Sequence, residues 1–401
     1  MPDKTEKKNT HTMRIIAVVT LVLALTGSVI FMELFMCIPS SQALDQNRIL
    51  MLHKEPENTI DVLLIGSSAT YSGFSSAYAY EKFGFTSYPY AIGGGTCTMW
   101  KPALQDALRT QHPKLVVVDV FGGGYEREMI ETRSSQLYLI MNSVPLSGEK
   151  VRTAQEISRN VNNVTAASMV FPFIKCHSRV PINALRLKER LAVERMGPSP
   201  LKGVEIRTKA RKLAPVNPSS FSTESMPIDA DTETVIRDFL DYCKEQDLDV
   251  LFVKYPTVLT SNDPDELVVN LKANRLLEIA EEYGFSSLNM QKDFHEIGLN
   301  EKEDYYNHGH TNTRGQKKVT EFLGSYIQNT MGIAPSDLDD TARAEWDDSI
   351  RYYDAFCRLT EEMIQLDRSV PIGESPQLLE ALDRILDGED VNSIAESYRG
   401  N

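Results

Sequence analysis

The strongest pattern in the chain is an apolar run near its start. Ile15 to Met32 are eighteen residues without a charge, mostly Ile, Val, Leu and Ala. As a helix at about 1.5 Å per residue they span roughly 27 Å, close to the hydrocarbon thickness of a bilayer. Further on, short β-rich apolar runs alternate with stretches of helical period. Ile60 to Ile65, Leu115 to Phe121 and Val250 to Val253 read as buried strands, and Ser286 to Met290 as a weaker one. A second strand region precedes the glycine turn at Gly93. Trp100 to Thr110, Thr232 to Gln246, Glu266 to Tyr283 and Thr313 to Thr330 are amphipathic. Strands that are apolar almost throughout, alternating with helices, predict an α/β fold with a parallel sheet covered on both faces.

Two regions leave this rhythm. Residues 150–225 read as an insertion that ends in a Pro- and Ser-rich loop. Within it, residues 175–212 carry eleven Lys and Arg against three Glu. That local excess reads either as a solvated helical face or as a surface for an anionic polymer or anionic headgroups. Residues 331–401 carry seventeen Asp and Glu against six Arg and read as an acidic helical extension with a break at Pro371-Ile372-Gly373. The predicted organisation is therefore a cytoplasmic N-terminus (1–14), a transmembrane anchor (15–36), an α/β domain (58–330) containing the insertion, and the extension.

Composition and charge narrow the function. The 401 residues are 42% hydrophobic and 24% charged, which excludes a mainly disordered chain. The formal net charge of −14 argues against a general nucleic-acid-binding surface. Five widely spaced cysteines form no CxxC cluster, so no structural zinc site or disulfide framework is indicated. Lys4, Lys7, Lys8 and Arg14 precede the apolar run, and the positive-inside rule then places the rest of the chain outside the membrane. A cleaved signal peptide is the other reading of the same run, with Ser40-Ser41-Gln42-Ala43 as its cleavage region. Cys37 follows the bulky Met36 where a lipoprotein signal has a small residue, which argues against lipidation.

Chemistry is expected in the loops at the C-terminal ends of the strands, where open parallel sheets bind ligands. The first such loop is Gly66-Ser67-Ser68-Ala69, in which a serine on a tight strand-to-helix turn is either an N-cap or an exposed nucleophile. After the second strand comes Ile92-Gly93-Gly94-Gly95, which lets backbone approach a ligand, and after the third Gly122-Gly123-Gly124. The first of these is not a dinucleotide-binding fingerprint, since the third glycine is missing at Thr98. Last comes the polar loop Asp304-Tyr305-Tyr306-Asn307-His308-Gly309-His310, just before an amphipathic helix. It reads as a helix-capping loop, as a base with an orienting carboxylate, or as metal ligands without a supporting cluster elsewhere.

In this order, the Ser turn, the Gly turn and the His loop resemble the SGNH/GDSL hydrolase superfamily over roughly residues 58–330. The likeness is nearest to its membrane-anchored Gram-positive members, distantly including those that hand D-alanine to lipoteichoic acid. The resemblance implies a three-layer, flavodoxin-like parallel sheet, no cofactor and no metal. It makes Ser68 the nucleophile, His310 the base, and the N–H groups of Ser68 and Gly93, with Gly94 beside them, the oxyanion donors. The position three before His310, where the family has its catalytic Asp, is Asn307. Asp304 is expected to orient the base instead, unless Ser68 and His310 work as a dyad, and Asn307 then counts among the substrate-binding residues. The oxyanion-hole Asn of the family has no counterpart in Asp119-Val120-Phe121-Gly122. His177 and Arg179 in Cys176-His177-Ser178-Arg179 resemble a His-x-Arg segment of the anchored members and are expected to line the site.

The function so implied is an extracytoplasmic serine esterase or O-acyltransferase. Its expected partners are the membrane, an acylated cell-wall glycan or teichoic acid and a membrane-bound acyltransferase, with no nucleic acid. The alternative is a catalytically impaired domain of this fold that only binds an envelope polymer or such an acyltransferase.

Overall fold

The computed structural model describes residues 4–36, 43–171, 173–176, 191–192, 195–260 and 264–398. Helix α1 (Lys4–Met36) contains a 21-residue span, His11–Phe31, of mean hydropathy 2.3 that lies outside the packed body. It is long and apolar enough to cross a membrane. Helix α2 (Ala43–Leu52) follows, and the sheet then begins.

Five parallel strands form the centre: β1 (Val62–Gly66), β2 (Ser87–Ala91), β3 (Leu115–Asp119), β5 (Val250–Lys254) and β6 (Ser286–Asn289), in the order β2-β1-β3-β5-β6. That is the 2-1-3-4-5 order of doubly wound sheets, and its switch point lies between β1 and β3. Alternate residues feed two cores, which is why the strands are apolar throughout. Leu63, Ile65, Val116, Val118 and Phe252 pack with α5 (Trp100–Ala107) and neighbouring helices on one face. Val62, Leu64, Val117, Leu251 and Val253 pack with Phe74, Val319 and Leu323 on the other.

Strand β2 shows why its region was hard to delimit from pattern alone. Its sequence is Ser-Tyr-Pro-Tyr-Ala, and Pro89 removes a ladder donor. As an edge strand it tolerates the proline, and α2 packs against it. Strand β1 enters α3 (Ser68–Gly73) through a single residue, and α4 (Ser76–Phe83) follows. After β3 come α6 (Arg127–Thr132) and α7 (Leu137–Ser143), and the insertion opens with α8 (Gly148–Asn160), α9 (Ala166–Val170) and α10 (Phe173–Cys176). The remaining sheet-covering helices are α11 (Ala230–Glu245), α12 (Pro264–Glu282) and α13 (Thr313–Asn329), each within a few residues of its predicted bounds.

The insertion and the acidic extension meet. The extension forms α14 (Asp340–Gln365), α15 (Pro376–Leu386) and α16 (Val391–Ser397) around an apolar cluster that it shares with Ala77 and Tyr78 of α4 and with Leu201, Val204 and Ile206 of the insertion. Its predicted break is a strand, β9 (Pro371–Gly373), which pairs antiparallel with β4 (Glu205–Arg207) of the insertion. Lys202, counted in the basic segment, is not on a solvated face. It is buried, 2.8 Å from the equally buried Glu55, with its ammonium 4.7 Å over the Trp346 ring. Removing one partner of such a pair strands a buried charge. Lys202→Ala is therefore expected to cost about 3–5 kcal/mol in urea denaturation of the detergent-solubilised chain. The double change Lys202→Met with Glu55→Leu should recover most of that loss, because both charges then leave together.

Candidate active site

Gly66 ends β1 because nothing larger fits: a Cβ there would collide with Asp119 and Thr70. Ser67 then caps α3, its hydroxyl accepting the Ala69 N–H at 3.2 Å. The same hydroxyl donates to Asp119 Oδ2 at 2.6 Å, and the Ser67 N–H reaches that oxygen at 3.2 Å. Asp119 Oδ1 accepts the Phe121 N–H at 3.0 Å. Burial holds the Asp119 carboxyl above the usual range while these donors pull it back. Ser67 is thus the N-cap, and Ser68 is left at the first helical position, where a backbone N–H has no partner within its own helix.

The second half of the site is a hairpin of β7 (Tyr305–Asn307) and β8 (His310–Thr311). His310 Nε2 lies 2.5 Å from Ser68 Oγ, across 242 residues of chain. His310 Nδ1 lies 2.7 Å from Asn307 Oδ1, and that oxygen also accepts the Gly309 N–H at 3.0 Å. The Gly309 donor points the amide with its oxygen toward the ring. Nδ1 must then carry the proton, which leaves Nε2 as an acceptor for the serine hydroxyl. Tyr306 stacks on the imidazole, with ring centroids 5.3 Å apart and planes 9° apart. Burial, reinforced by the positive charge of Arg207, pushes His310 down to about 4. The ring is neutral at physiological pH.

Hydrogen bonds hold the two halves in register. Thr311 Oγ1 donates to Ser72 O at 2.7 Å, and Ser72 Oγ donates to Ser68 O at 2.7 Å. Gln316 Nε2 donates to Tyr71 O at 3.2 Å. The Ser68–His310 distance is therefore set by backbone-anchored contacts on both sides.

Other expected site residues are placed differently. Asp304 does not orient His310. Its buried Oδ2 accepts the Asn300 N–H and Lys318 Nζ, each at 2.7 Å, and closes the loop ahead of α13. Asn307, rather than Asp304, is the side chain that meets His310 Nδ1. The Gly93 N–H is already used: it donates to Asp45 Oδ1 of α2 at 3.1 Å, so it can serve an oxyanion only if that carboxylate moves. Gly94, at a φ of 68°, turns the loop, and its carbonyl accepts from Arg133 at 3.3 Å. His177 and Arg179 lie outside the described residues. No group of three or more His, Cys, Asp or Glu side chains fit to hold a metal occurs among the described residues.

Around Gly93 stands a charged cluster that the sequence reading did not single out. Arg48, buried in α2, donates to Asp45 Oδ1 at 2.7 Å, to Ala91 O and Gly203 O at 2.9 Å each, and to Glu205. Its guanidinium lies 3.8 Å over the Tyr71 ring. Nothing in the local pattern announces this set, because its members come from α2, α3 and β4. Asp119 is different: it interrupts the apolar run Leu-Val-Val-Val-Asp-Val-Phe, and a lone carboxylate in a buried strand needs a partner. In comparisons with known proteins, no family model and no curated sequence matches this chain.

Proposed function

We propose that the chain is a membrane-anchored, SGNH-type serine esterase or O-acyltransferase whose main domain lies outside the cytoplasm. The observation that carries this reading is the 2.5 Å approach of Ser68 Oγ to His310 Nε2, while His310 Nδ1 lies 2.7 Å from Asn307 Oδ1. A nucleophile, a base and a group orienting the base are the parts that acyl transfer requires. Ser68 Oγ attacks an ester carbonyl carbon and its proton passes to His310 Nε2. The proton then goes to the leaving alkoxide as the ester C–O bond breaks, leaving the acyl group on Ser68. Water or an acceptor hydroxyl attacks that acyl-enzyme, its proton going to His310, and Ser68 is released. The Ser68 N–H, in the first turn of α3, is the donor proposed for the developing oxyanion. The apolar span of α1, with basic residues before it, supports the anchor and the outward orientation of the domain. Acyl groups on cell-envelope glycans or teichoic acid are the substrates proposed for an enzyme so placed.

Labelling with a fluorophosphonate probe tests the reading. One adduct, mapped to Ser68 by mass spectrometry, is the expected result. No adduct at any pH would favour the second reading, a binding domain without turnover. Two observations favour that second reading: Asn307 stands where a carboxylate would strengthen the base, and Asp45 occupies the Gly93 N–H.

The pH profile follows from the site. With His310 held near 4, the base stays neutral at every pH above about 5. Turnover of a neutral ester, measured as kcat/KM, should be flat from about pH 5 to 8 and fall below about 4 as the imidazole takes up a proton. An acid limb centred near 6.5 would mean that the imidazole is solvated rather than buried.

A further inference from the structure

Strand β4 brings one more cation to the site. It packs against α3 on one side, and the chain beyond it runs along the His310 hairpin. There the Arg211 N–H donates to Tyr305 O at 2.8 Å, and Asn312 Nδ2 donates to Lys209 O at 3.2 Å. Alternation along β4 buries Ile206 and puts Glu205 and Arg207 together on the opposite side. Their fates differ. Glu205 is neutralised by the buried guanidinium of Arg48. Arg207 is exposed, and among the described residues no carboxylate lies within ion-pair distance of it. Its charge is felt by both His310 and Tyr306, the stacked pair beside Ser68. Of the four cations in residues 207–212, Lys209 alone has an acidic partner among the described residues, Asp367 at 3.3 Å.

The charge of Arg207 reaches the site on the side of His310. His310 returns its proton to the leaving oxygen, so the alcohol side of the ester lies next to the imidazole. We propose that Arg207 recognises an anionic group, a phosphate or a carboxylate, carried on the alcohol portion of the acylated substrate; this rests on the esterase or acyltransferase reading above. A guanidinium presents two parallel N–H donors that match either anion. An anion seated there also offsets the positive charge beside His310, so the correct substrate strengthens the base that acts on it.

The test compares kcat/KM for three acetate esters: 1-acetylglycerol, 1-acetylglycerol 3-phosphate and acetoxyacetate. Calorimetric titration of the full chain with glycerol 3-phosphate and with glycolate runs beside it. At least one charged ester is expected to be preferred over the neutral one by roughly 10–100-fold. The preferred ester tells phosphate from carboxylate. Arg207→Gln should bring the charged-to-neutral ratio close to one, Arg207→Lys should retain part of it, and Lys244→Gln on α11 should retain all of it. The same ratio in wild type and Arg207→Gln overturns the proposal while leaving the esterase reading intact. If no ester is cleaved, the esterase reading fails and the titrations decide. Anion binding lost in Arg207→Gln upholds the site, and binding equal in both proteins, or absent from both, overturns it.

Discussion

Ser68→Ala is expected to lower p-nitrophenyl acetate turnover by about a thousandfold or more and to abolish fluorophosphonate labelling. The size follows from the proposed role, in which Oγ forms the acyl-enzyme and His310 activates it. Stability should barely change. Among the described residues Ser68 Oγ meets one partner, His310 Nε2, whereas the capping and strand-bridging bonds of this turn belong to Ser67. The paired control is therefore Ser67→Ala. It breaks the 2.6 Å bond to buried Asp119 and should cost about 1–3 kcal/mol in stability. Labelling should survive wherever that protein is folded. Equal turnover by wild type and Ser68→Ala would remove the serine from the chemistry.

The second large effect is expected at Asn307. An imidazole base needs a partner on Nδ1 that keeps the proton there, and a carboxylate partner also stabilises the imidazolium that forms. Asn307 does the first and not the second. In a Ser-His-Asp triad, replacing the carboxylate by an amide costs about 10⁴ in kcat because the amide favours the wrong tautomer. Here the Gly309 N–H turns the amide oxygen toward the ring, so that penalty does not apply. Asn307→Ala should free the imidazole to rotate and lower kcat/KM by about 10²–10⁴. Asn307→Asp should act in the other direction. The added negative charge raises His310 from about 4 toward neutrality and lifts kcat/KM at pH 7 by about tenfold or more. Titration of the His310 ring by NMR alongside the kinetics separates the electrostatic effect from a change of fold. If Asn307→Ala is as active as wild type, the hydrogen bond is incidental. If Asn307→Asp raises the ring's pKa yet slows the reaction, the base is limited by something other than its strength.

The site was partly legible in the sequence. A serine in a strand-to-helix turn and a histidine just before a helix are local features, and both lie where they were expected. The orienting residue was harder to find. Asp304 was the natural candidate by charge, but in this hairpin position 307 faces position 310 across the ladder, whereas 304 turns inward to Asn300 and Lys318. A carboxylate's chemistry is visible in a sequence, but the direction in which its strand presents it is not. Gly93 teaches a similar point. The glycine turn was evident, but the use of its N–H depends on Asp45, 48 residues earlier on α2. The insertion and the tail, which read as separate basic and acidic regions, share a two-stranded sheet because β4 and β9 each need an edge to pair with.

Local pattern alone determined the apolar N-terminal helix, the parallel sheet covered on both faces, and the turns on which Ser68 and His310 sit. These depend on periodicity and on residue types within a few positions, so propensity and burial act on them directly. Tertiary structure alone decided the pairing of Asp119 with Ser67, the occupation of the Gly93 N–H by Asp45, and the meeting of residues 209–211 with the His310 hairpin. Each of those contacts joins residues far apart in the chain. Their energies appear only when separate elements pack, and no local pattern encodes that packing.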